Sequence, residues 1–229
     1  MLQSCSQPFA HAWLRALPRE GQRQRMPAAA FRCRLAYQLA LPVYPPGLQC
    51  PLCRNPLDRA GDHAAQCHRG MGVSVARRHH RVRDALHTLL TEAGVSSEVE
   101  QDLPDGGPGV ERRRADVVAR RWLGQQDLYL DVVGSSPLTK GRVARFLPGL
   151  AAAEAAQAKR RKYSPLLAAL QGDVAFQPFS FDTFGGLEDS ALVFLQQLQD
   201  RFGVARGEED RDDRGTRSVM VRISYAIAY

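Results

Sequence analysis

Cys50, Cys53, His63 and Cys67 follow one another as C-x2-C-x9-H-x3-C, and this cluster constrains the chain more than any other feature. Two cysteines two residues apart can turn back and aim both thiolates at one ion. His63 and Cys67 are four apart, so one helical turn can present both on the same side. Three thiolates and one imidazole form a closed tetrahedral set, the kind that leaves no position open for substrate. The expectation is a structural zinc knuckle. His68 is adjacent and could replace His63 or Cys67. Pro51, Pro56 and Gly61 interrupt regular structure here, so the segment needs a metal staple to hold its shape.

The metal reading depends on compartment. Residues Met1 to Trp13 lack a basic start followed by an apolar core, and no apolar run approaches the ~18 residues of a membrane span. A reducing, intracellular setting without membrane partners is expected, where clustered cysteines more often bind metal than form disulfides. The chain has 229 residues, enough for one medium domain and a small module, and 44% of them are hydrophobic, enough for a core. Its net charge is +7. The distribution says more than the sum. "RRHHRVR" (Arg77 to Arg83), "ERRRADVVARR" (Glu111 to Arg121) and "KRRK" (Lys159 to Lys162) are either solvated faces or parts of one phosphate-tracking surface.

Four segments follow from punctuation and periodicity. Residues 1–47 read as helical, in two pieces stopped by prolines; Trp13 and Cys33 there read as core or interface residues. The knuckle occupies 48–70. Residues 71–203 read as a mixed α/β domain. Val75, Val82, Leu86, Leu89 and Leu90 recur at helical spacing up to Gly94. "VSSEVEQ", "RRADVVARRWL" and "QDLYLDVVGSS" are strand candidates, the last apolar on both faces and so buried within a sheet. "GLAAAEAAQAKRRKYSPLLAALQGD" favours a helix up to the Ser164-Pro165 break. "VAFQPFSFDTFGG" is a further strand that Pro178 assigns to an edge or bulge. "LEDSALVFLQQLQDRFG" is an amphipathic helix ended by Gly203. Residues 204–229 combine a charged linker with an apolar segment that packs back. The order in the domain is helix, three strands, helix, strand, helix.

Asp116 and Asp131 are out of place, each inside an otherwise apolar strand. Such a carboxylate is costly unless it is paired, hydrogen-bonded or on a metal. In a hairpin the two could fall opposite each other and hold a divalent cation between them, magnesium being suited to oxygen ligands. The plainer alternative is a turn cap and an arginine pair. Lys159, Lys162 and Tyr163, at i, i+3 and i+4, share a helical face, and a lysine aimed at a metal-bound water or a phosphate can orient a nucleophile. Two acids and a lysine are a minimal kit for phosphodiester hydrolysis.

In order, "AWLRALP", the Cys-Cys-His-Cys knuckle with its "GDH", "RRADVV", "LYLDVV", "AEAAQAKRRKY" and "FDTFGG" resemble the C-terminal region of LINE-type retrotransposon proteins with a restriction-like endonuclease. The resemblance covers most of residues 11–203 and lies in the order of the motifs. It implies a PD-(D/E)xK restriction-endonuclease-like fold that nicks target DNA to prime reverse transcription, with a nuclear location. By position, Asp116 and Asp131 match the family's two acids and its magnesium ligands. Lys159 matches the helix-borne lysine, with Lys162 as alternative, and Glu100 resembles an acid on the first strand. Arg77, Arg78, Arg81, Arg114, Arg160 and Tyr163 are the candidate nucleic-acid contacts, with DNA as partner and RNA as the alternative. Two departures stand out: Ala115 replaces the proline of the "PD" signature, and Val133 stands where the simplest motif has lysine. No polymerase motif accompanies these, so the expectation is a tail fragment or degenerate copy, other retroelement domains normally sharing the chain.

The competing reading is a nucleic-acid-binding module whose acids are structural, and a third is a purely structural protein. Geometry discriminates: a nuclease needs Asp116, Asp131 and a lysine to converge, whereas a binding module would scatter them or plug them with arginine.

Overall fold

A computed structural model describes residues 5–7, 9–15, 26–67, 69, 73–170, 174–205 and 214–228. It is a mixed α/β structure around one four-stranded sheet. Strands β1 (Ser97–Asp102), β2 (Arg114–Leu123), β3 (Gln126–Ser135) and β4 (Ala175–Asp182) lie side by side in sequence order. The first three form an antiparallel meander and β4 joins β3 in parallel. A parallel partner demands a long crossover, and helix α5 (Leu150–Ala169) supplies it after the short helix α4 (Lys140–Val143).

Each face of the sheet has its own apolar cluster. Helix α3 (Val73–Glu92), helix α6 (Asp189–Ala205) and helix α7 (Arg214–Ala228) pack on one, where Leu86, Leu90, Val117, Leu130, Phe179 and Phe194 are fully buried. Helix α5 covers the other through Tyr163 and Leu166, against Val118 and Tyr129. The run Leu128 to Val132 is buried throughout, as expected of a strand sandwiched between helices. Pro178 sits on β4, the edge strand, where a missing ladder donor is tolerated.

Two helices outrun their expected ends. α5 continues through Pro165 to Ala169. Pro165 is exposed, while Tyr163 and Leu166 on either side of it are buried, so tertiary packing carries the helix past the lost hydrogen bond. Similarly, α6 passes Gly203 to Ala205. The N-terminal pieces are a 3-10 turn (Ala12–Arg15) and helix α1 (Ala28–Gln38). Trp13 is buried, donating its backbone N–H to Ser224 Oγ of α7 at 3.0 Å and its indole N–H to Gln38 Oε1 at 2.6 Å, whereas Cys33 is exposed. The apolar C-terminal segment does pack back, as α7. The alternative ligand His68 and the linker stretch 206–213 lie outside the described residues. Among the described residues no helix is long and apolar enough to cross a membrane.

Candidate functional site

The knuckle is built by two tight turns. Gln49 bridges Pro56, Cys50 N–H donates to Asn55 O at 2.8 Å, and Arg54, with φ of +64°, returns its N–H to Cys50 O at 2.9 Å. That hairpin holds Cys50 and Cys53 at its tip. Helix α2 (Asp62–Gln66) follows, and Gly61 turns into it with φ of +84°; a Cβ there would press on Val43 at 3.2 Å. Asp58 accepts the free N–H groups of Asp62 (3.0 Å) and His63 (2.6 Å), fixing the helix start. His63 and Cys67 therefore face the hairpin.

The four donor atoms of Cys50, Cys53, His63 and Cys67 lie within 4.8 Å of one another. The Cys50 and Cys67 sulfurs are 3.7 Å apart, and Cys53 Sγ is 3.1 Å from His63 Nε2. Two sulfurs on one tetrahedral zinc at ~2.3 Å stand roughly 3.8 Å apart, so the spacing fits. The Cys53 backbone N–H lowers the Cys50 thiol to about 6, favouring the thiolate that a metal requires. The cluster can hold a metal ion such as zinc.

A second cluster lies on the sheet. Val117 pairs with Leu130 across β2 and β3, and one further step along that register sets Asp116 opposite Asp131. Period two puts Asp131 on the face of Tyr129, the face under α5. On α5, Ala152, Ala156, Lys159, Tyr163 and Leu166 recur at spacings of three and four, so Lys159 belongs to the buried stripe. The fully buried Ala152 and Ala156 let the helix close on the sheet, and Ser180 Oγ pins it with a 2.7 Å bond to Ala152 O. Lys159 Nζ consequently reaches Asp131 Oδ2 at 2.8 Å. Lys162, three residues on, is turned away and exposed.

Asp116 is gripped from two sides. His79 Nε2 is 3.1 Å from its Oδ1, and Val132 N–H donates to its Oδ2 at 2.6 Å. Burial alone would raise Asp116, but the bonds from His79, the Asp131 carboxyl and Val132 N–H outweigh it and lower the group. Asp131 goes the other way. Burial first, then the neighbouring Asp116, raise it to about 6 against the pull of Lys159. The pair is thus poised to hold one proton or one cation between them.

His79 had been part of a basic run in the sequence. It was nonetheless detectable: it falls four after Val75 and three before Val82, on the same apolar stripe of α3.

Other candidates are placed elsewhere. Glu100 stands across from Asp116 on β1, but its backbone is left-handed (φ of 55°) and its carboxylate is bound by Arg83 and Arg114. Tyr163 is buried, stacked on Phe176 at 4.1 Å, with its hydroxyl donating to Arg114 O at 2.8 Å; that leaves no open ring face for a base. Arg160 pairs with Glu188 at 3.0 Å, and Arg120 with Glu98 and Asp127 at 2.9 and 2.7 Å. Much of the basic run around Asp116 is therefore neutralised within the fold. Arg77 is exposed, and Arg78 and Arg81 are half-buried on α3.

Compared with known proteins, the chain matches no family model and no curated protein.

Proposed function

We propose that this chain is a metal-dependent DNA endonuclease of the PD-(D/E)xK kind, related to retrotransposon endonucleases, with a zinc knuckle as an accessory nucleic-acid-binding module. The observation that carries the reading is the convergence of Asp116, Asp131 and Lys159, with Lys159 Nζ 2.8 Å from Asp131 Oδ2 and, among the described residues, no arginine paired with either acid. The order helix, three strands, helix, strand, helix supports it.

The donor set is two adjacent carboxylates, all oxygen, one of them raised because its negative charge is poorly supported. That set fits Mg2+ with a phosphate oxygen completing the shell. When bound there, magnesium would polarise the phosphate and lower the pKa of an attacking water. The chain's own groups do the rest. His79 and Val132 N–H fix both oxygens of Asp116. Asp131 is held under α5, where solvent is excluded. Lys159 offers protons to the nucleophile or to a phosphoryl oxygen, offsetting charge that grows in the transition state.

Supercoiled plasmid provides the test. Wild type should convert it to the nicked form with Mg2+ or Mn2+, and Asp131→Asn should not, while retaining DNA binding. A folded, DNA-bound wild type that never nicks would reject the enzyme reading and leave a zinc-containing binding module. The nuclear location goes with this proposal, as a site where target DNA is available.

A further inference from the structure

Beside His79 lies a cavity of ≈ 350 Å³. Its walls come from α2 of the knuckle, α3, the end of β3 with the chain leaving it, and the end of β4 with Thr183 just past it. Arg78, His79, Ser135, Ser136, Thr139 and Arg142 contribute its polar lining. The charge around it does not balance. Arg142 is compensated, pairing with Glu154 at 2.8 Å while its other arm holds Ser135 Oγ and Ser136 O. Arg78 is not. Its Nη1 makes only a long 3.4 Å bond to Ala65 O, and among the described residues no carboxylate pairs with it. Of the acids nearby, Asp62 turns to Ser136 and Tyr37, and Asp116 to His79.

A second guanidinium lies deeper. Arg34 is 8% exposed, and it gives Nη1 to the backbone O of Thr183, itself a cavity residue, at 2.7 Å. Among the described residues its Nε and Nη2 have no hydrogen-bond partner. Burial first and then the charge of Arg78 pull Arg34 down to about 10, and burial and Arg81 lower Arg78 in turn. Like charges gathered in a low-dielectric wall raise the potential of the space they face, and an anion relieves them.

We infer that this cavity is a phosphate subsite, taking one backbone phosphate of a nucleic-acid strand next to the linkage held at Asp116 and Asp131. The inference rests on the proposed nucleic-acid substrate. His79 joins the two places, since it lines the cavity with one edge and bonds Asp116 with Nε2. Val132 does the same, lining the cavity while its N–H holds Asp116. A strand seated on the acids therefore has a cationic recess one step along. The hydroxyls of Ser135 and Thr139 can donate to phosphate oxygens as Arg78 supplies charge.

The test is a binding experiment with the zinc-loaded full chain in Ca2+, so that cleavage does not intervene. Duplex oligodeoxynucleotides would carry one neutral methylphosphonate linkage, moved stepwise along each strand. Wild type should show one position where neutralisation weakens binding by about 10-fold or more. In Arg78→Gln that positional penalty should disappear, a coupling that only direct contact produces. Arg78→Lys, which keeps the charge but loses the fork, should restore part of it. A penalty unchanged in Arg78→Gln would overturn the inference, as would an equal loss for every probe. Inorganic phosphate is the other arm: if it competes with DNA but no linkage position is special, the recess takes the free ion and not a strand. Removing an uncompensated charge should leave Tm unchanged or raise it, and a fall of several degrees would mark Arg78 as structural and overturn the assignment. A protein that shows the positional penalty but never nicks refutes the nuclease alone; one that nicks without the penalty refutes only the subsite.

Discussion

Lys159 and Lys162 differ by three positions and by their whole environment. One continues the stripe of Ala152, Ala156 and Tyr163 that faces the sheet; the other is exposed. Lys159→Met should therefore slow nicking by ~10²-fold or more, the scale of a lost charge-stabilising donor, while Lys162→Met should leave the rate within about twofold. Single-turnover kinetics at saturating DNA would separate the two, and equal effects would dissolve the distinction. Asp116 and Asp131 were legible in the sequence because acids inside apolar strands are out of place, and a lysine beside them was expected from the helical face that Lys159 and Lys162 share, with the choice between the two left open. His79 was hidden by its arginine neighbours, and the fate of Glu100 by two ion pairs that local sequence does not specify. Asp182 yields a separate prediction. Its Oδ1 accepts the N–H groups of Phe184 and Gly186 at 2.8 and 2.9 Å, while Oδ2 is buried with no hydrogen-bond partner among the described residues. Burial raises it to about 6 from the ordinary 3.8. The folded state thus holds this proton more tightly than the unfolded chain. The cost of ionising it, about 3 kcal/mol at 1.36 kcal/mol per pKa step, is fully present above pH 6 and vanishes below pH 4. Asp182→Asn keeps the acceptor and removes the charge. Denaturant unfolding at neutral pH should find it more stable than wild type, and the gap should close as the solution is acidified.

At the scale of elements, the knuckle and the sheet draw stability from different sources. The segment Cys50 to Cys67 contains turns and a five-residue helix, so a metal held by its cluster would supply most of its folding energy. Cys53→Ser, or a zinc chelator, should expose the amides of residues 48–67 to hydrogen exchange while those of β2 and β3 stay protected. Uniform loss of protection would mean that the sheet depends on the metal too. Strands were legible from alternation and from doubly apolar β3, and the edge position of β4 from Pro178. Helix ends were less so. Pro165 and Gly203 are strong local stops, yet both helices continue past them; at Pro165 the buried Leu166 beyond it outweighs the stop, a tertiary effect that propensity does not contain.

The whole molecule carries +7, yet many of its arginines are committed to carboxylates within the fold. On α3, Arg77 is exposed and Arg78 borders the knuckle through Ala65, close to the acid pair that His79 reaches, and this is the face proposed for a polyanion. DNA affinity should then fall steeply with salt. Neutralising six or more phosphates would cost ~10³-fold between about 50 and 200 mM, and a nearly flat response in anisotropy titrations would speak against this face. The sheet's mixed pairing has a further consequence, in time. Asp116 and Asp131 ride on adjacent strands joined by a tight turn at Gly124, a contact that closes quickly because little chain entropy is lost. Lys159 arrives with the crossover helix, a contact of greater sequence separation whose closure costs more chain entropy and comes later. Under the proposed reading, a growing or refolding chain therefore brings its two acids together before the lysine that completes the set, and acquires the means to cut DNA only at the end of folding.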